Sequence, residues 1–126
     1  MTGIGKRMDS IDQGVTLFNA GKYFEAHEAW EGLWLDANSP EEKEFLQGMI
    51  MAAGSFLHYI RHECAGASAL LEKSVPLIRR GIDAYPDLRI TEFVQALEDL
   101  RGEFSRCSFT LSAASLPKIE LTMNFC

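Results

Sequence analysis

Residues 45–60 contain no aspartate, glutamate, lysine or arginine, in a chain where about every fourth residue is charged. A helix needs roughly 20 apolar residues to span a bilayer, so this run is too short to cross a membrane and must be buried by the rest of the chain. Ser39-Pro40-Glu41-Glu42 precedes it, a strong helix start. The serine caps, the proline suits the first position, and the acids sit in the positively polarised first turn. The spacing predicts a helix whose apolar side is Phe45, Met49, Ala52, Ala53, Phe56 and Ile60, extended by Leu46, Ile50 and Leu57. Gly48, Gly54 and Ser55 permit close approach of a second helix, while Gln47, Met51, His58 and His62 face the other way.

A buried central helix needs amphipathic partners, and the chain supplies them. Ser10-Ile11-Asp12-Gln13 has the form of a capping box, and Ile11, Val15 and Phe18 recur at helical spacing, which predicts a first helix over 11–20. Gly21 ends it, and a second helix follows from about Lys22 to Ala37 or Asn38. A break near residues 63–66 precedes a fourth helix, in which Pro76 predicts a kink or two short helices. A fifth helix is expected over 90–105. Beyond Cys107 helical period is lost, and Ile119, Leu121, Met123 and Phe125 alternate as in a strand. A helical bundle offers no sheet edge, so this segment should lie over a groove of the same chain or of a neighbour. The fold expected is a single-domain, all-α bundle of about five helices, with a helical domain over 1–105 and an irregular or extended C-terminal tail over 106–126.

A length of 126 residues suits one domain. The net charge of −6 argues against nucleic acid or an anionic membrane as main partner, leaving a small-molecule substrate and self-association as the open partner classes. The N-terminus lacks the apolar core of a signal peptide, which predicts a cytoplasmic protein. Cys64, Cys107 and Cys126 are odd in number and lack CxxC spacing, and they read as reduced thiols.

The second helix concentrates the chemistry. On a helical wheel Tyr23, Ala26, Trp30, Leu33 and Trp34 form one apolar block, with His27 and Glu31 beside it. A histidine and a carboxylate one turn apart can share a metal ion, and His58 with His62 forms a second such pair. His27, Glu31 and His58, with water in the fourth position, would match a catalytic zinc site, with Glu28 as general base. Gln47 lies roughly 16 Å along the helix from His58, but can meet His27 or Glu31 across an interface. Zinc and iron both suit imidazole with carboxylate. The zinc-protease motif H-E-x-x-H fails, because its last position is Glu31. A hydrogen-bonded, metal-free pair of His27 and Glu31 that fixes helix packing explains the same residues. Gly21-Lys22-Tyr23, Ala26, Trp30 and Leu33 also fit the end of a tetratricopeptide repeat, so a non-catalytic, peptide-binding helical hairpin is the alternative function.

The run from Phe18 to Glu31 with Trp34, then Leu46-Gln47-Gly48-Met49-Ile50, Leu57-His58, and Gly66-Ala67 with Leu70-Leu71, resembles the prokaryotic family called domain of unknown function 309. The match runs in order over about residues 14 to 80. The resemblance implies a small all-helical fold and predicted metal-dependent hydrolysis with no established substrate. Its implied site is His27, Glu31 and His58, with Glu28 and Gln47 beside it. Relatives tend to carry glycine or a basic residue after the third helix, where this chain has His62-Glu63-Cys64.

Overall fold

The structure is a computed structural model that describes residues 3–120, with side chains from residue 11 onward. Its helices are α1 (Gly3–Asn19), α2 (Tyr23–Asp36), α3 (Pro40–Ile60), α4 (Cys64–Arg80) and α5 (Ile90–Arg106), followed by a 3-10 turn at Ala113–Ser115. No strand occurs among the described residues, so the fold is an all-α bundle with a short tail. No helix among them is long and apolar enough to cross a membrane.

The uncharged run occupies the centre, because α3 packs on α2 and on α4. Ser39 caps it by accepting the Glu42 N–H at 3.1 Å. Its α4 face is built for close contact: a Cβ on Gly48 would stand 2.8 Å from the Ile78 backbone nitrogen. The Ser55 hydroxyl, fully buried, donates to the Ala67 carbonyl at 2.6 Å. Phe18 of α1 joins four helices, with ring centroids 5.1 Å from Tyr23, 5.2 Å from Phe56 and 5.5 Å from Phe93. Trp30 is fully buried and donates its indole N–H to the Ile11 carbonyl at 3.3 Å.

Several expectations need correction. α1 begins at Gly3, so Ser10 lies inside the helix and the capping-box reading of its start fails. Pro76 does not divide α4, which is one helix through it. Proline removes one backbone donor, and the site is exposed, so the carbonyl it leaves unbonded stays open to hydration. Ile60 is 39% exposed rather than on the core face, because buried Tyr59 and Ser55 turn the last turns of α3 toward α4 and α5. The reading of three reduced thiols is overturned for two of them: Cys64 and Cys107 form a disulfide, their Cα atoms 5.4 Å apart. Odd number and spacing carry no information about two residues 43 apart in sequence that meet only in space.

The tail buries Leu116 and Ile119 in the core. Asn19 clamps it: its side-chain amide donates to the Ile119 carbonyl and its oxygen accepts the Ile119 N–H, both at 2.8 Å. The Arg89 N–H donates to the Glu120 carbonyl at 2.8 Å. The tail therefore lies over a groove of its own chain. The expected alternation of Leu121, Met123 and Phe125 falls outside the described residues.

Candidate functional site

α3 ends in a turn that prepares the site. His62 adopts the left-handed conformation, φ 60°, and the Glu63 N–H reaches back to the His58 carbonyl at 2.8 Å. This is the Schellman closure that glycine usually permits. Its consequence is chemical, because it folds Glu63 back onto the helix that carries His58. The Glu63 carboxylate then accepts from His58 Nδ1 at 2.6 Å. α4 begins at once, and Gly66 in its first turn lies against the His58 ring, where a Cβ would meet ring atoms at 2.9 Å.

His58 faces a pocket of about 290 Å³ shared with His27, Tyr23, Met51, Leu57 and Leu70. Two imidazoles from different helices thus meet one small, mainly apolar space. His27 is half-buried, and its ring stacks on Phe24 with centroids 6.2 Å apart. Its Nδ1 is buried with no hydrogen-bond partner among the described residues. Such an orphan costs about 1–3 kcal/mol and in a native protein points to a group that completes it. Burial pushes the Tyr23 hydroxyl up to about 12, so it stays neutral.

The other expected residues lie elsewhere. Glu28, Glu31 and Gln47 are exposed and do not line the pocket. Glu31 follows His27 by one turn, yet α2 turns that edge outward. Trp30 is core. Trp34 is half-buried, with the Lys43 ammonium 4.2 Å above its ring and its own indole nitrogen unpartnered among the described residues. His62 is exposed and stacks on Phe109 at 4.8 Å. Among the described residues no three His, Cys, Asp or Glu side chains are grouped to hold one metal ion. Sequence reasoning missed Glu63, whose role depends on the turn after α3. The only signal was its place directly after His62.

A larger cleft of about 650 Å³ is bounded by Ile11, Ser39, Glu41, Arg80, Tyr85 and Leu88. It contains no imidazole or thiol, and Tyr85 within it donates to Glu42 at 2.7 Å, so its chemistry is thinner than that of the histidine pocket.

Residues 11–70 match the family model described as a domain of unknown function, DUF309. The matched segment carries both pocket histidines, Glu63 and the first turns of α4. The chain is also similar to the uncharacterized protein YpuF of Bacillus subtilis, 29% identical over 92 residues. That match covers 69% of this chain and 53% of YpuF, so the chain spans about half the length of this relative. The likeness to the domain of unknown function family DUF309 thus rests on residues 11–70, a little under half of the chain.

Proposed function

We propose that the pocket between α2 and α3 binds a divalent transition metal, zinc or iron, through the imidazoles of His27 and His58, and serves hydrolysis of a small cytosolic molecule. The observation that carries this reading is the pair of histidines on one pocket, one with an orphaned ring nitrogen. The fit is that of two protein ligands. Glu31, the third expected ligand, is exposed off the pocket, and the carboxylate within reach is Glu63. By accepting a hydrogen bond from His58 Nδ1, Glu63 would hold the neutral ring in the tautomer whose Nε2 electron pair is free, the arrangement that outer carboxylates impose on ligating histidines. A bound ion would supply Lewis acidity. Tyr23, Met51, Leu57 and Leu70 would exclude water from the rest of the pocket and favour a substrate with an apolar part.

Metal analysis of untagged protein, with thermal melts in added zinc, ferrous iron or manganese, tests the proposal. Wild type should bind and be stabilised, His27→Ala and His58→Ala should lose both effects, and Glu63→Gln should bind roughly 10–100-fold more weakly. Absence of metal and of stabilisation in folded wild type would overturn it. One observation favours the peptide-binding alternative: Phe24 is 50% exposed at the rim of this apolar pocket. Binding by that route would survive a chelator.

A further inference from the structure

The Cys64–Cys107 bond closes the corner at which the His58–Glu63 pair is made. Cys64 is the first residue of α4 and follows Glu63 directly; Cys107 caps α5. The same corner holds the three non-glycine residues with positive φ among the described residues, His62, Cys107 and Phe109. Left-handed conformations are unfavourable for ordinary residues and persist where surrounding contacts enforce them. Here the contacts are the disulfide and the His62–Phe109 stack. Cys107 is exposed and Cys64 half-buried, so the bond is open to attack from solvent at one sulfur.

We propose that this disulfide is a thiol–disulfide switch that sets the His58–Glu63 pair, and through it the histidine pocket. The reductant is a dithiol. One of its thiolates attacks the Cys107 sulfur, the S–S bond breaks, and its electron pair leaves on Cys64. The second dithiol sulfur displaces Cys107 from the mixed disulfide. Two protons end on the two cysteine thiols, and the reductant departs as a cyclic disulfide. Both thiols have acceptors waiting: the Phe104 carbonyl lies 3.8 Å from the Cys64 sulfur and the Ser105 carbonyl 3.7 Å from that of Cys107. The reduced state therefore orphans neither thiol. What it loses is the tie between the first turn of α4 and the end of α5. Glu63 precedes that turn and Gly66 lies within it, so its release loosens both groups that hold the His58 ring.

The switch concerns the pocket assigned above but rests on the cysteine pair and the His58–Glu63 contact, so metal-free protein tests it whether or not the hydrolase reading stands. The protein is prepared as Cys126→Ser, and free thiols are counted before and after dithiol treatment. Imidazole resonances of His58 are followed by NMR at fixed pH, against an added chemical-shift standard. Expected are no free thiols as purified, two after reduction, and a His58 shift that reverses with an oxidised dithiol. Glu63→Gln should leave His58 insensitive to the redox state. Identical His58 resonances in the two thiol-counted states, or two free thiols after equilibration in air, would overturn the switch.

Discussion

Glu103 shows how one side chain ties three parts of the chain together. Its carboxylate accepts from the Ser108 hydroxyl at 2.6 Å, from Tyr59 at 3.0 Å and from the Thr110 hydroxyl at 3.0 Å, so α3, α5 and the start of the tail meet on one anion. These donors, Ser108 first, lower its pKa from 4.5 to about 2. A depressed carboxylate stabilises the fold fully above its unfolded value, and the contribution is lost as pH falls toward the folded value. Acid unfolding of the wild type should therefore steepen between about pH 4.5 and 2, and Glu103→Gln should remove that part of the dependence. Matching curves of melting temperature against pH for the two proteins would refute the assignment. At the pocket the same scale explains Gly66, since a side chain there would displace the His58 ring.

Among elements, the α3–α4 contact depends on Gly48. A methyl group there would stand 2.6 Å from the Ile78 Cγ1 and 2.8 Å from its backbone nitrogen, and a backbone atom cannot swing aside. Gly48→Ala should cost roughly 1–3 kcal/mol in urea unfolding, as overpacking of a filled interface does. A methyl group on Gly32 in α2 would meet no atom of the described residues within 4 Å, so Gly32→Ala should stabilise by up to about 1 kcal/mol through helix propensity. Equal effects at the two sites would mean that α3 and α4 do not pack this closely. The α3–α4 turn is the other decisive element, because with His62 in the left-handed position it returns Glu63 to His58.

For the molecule as a whole, the tail completes the core rather than trailing from it. Ile119 is 2% exposed, and its backbone is held on both sides by Asn19. Deleting residues 118–126 should keep the helical circular dichroism spectrum but lower the melting temperature, since burying one such side chain contributes about 1.5–3 kcal/mol. An unchanged melting temperature would show that the tail contributes nothing. The all-α class and the centrality of α3 could be read in one dimension, because an uncharged run, the Ser39-Pro40 start and the i, i+4 apolar spacing are local properties that dictate a helix and its buried face. The histidines of the pocket were legible for the same reason, each lying on a helix whose faces follow from spacing. Glu63, the Cys64–Cys107 bond and the Asn19 clamp were not, because each joins a residue to a partner placed by a turn or by a separate helix. A wheel gives direction around one axis to within a fraction of a turn, which is why Glu31, at the edge of the apolar sector, lies outside the pocket while His27 lies in it. Local periodicity determined which helices form and what they bury; only their packing decided which side chains share a site.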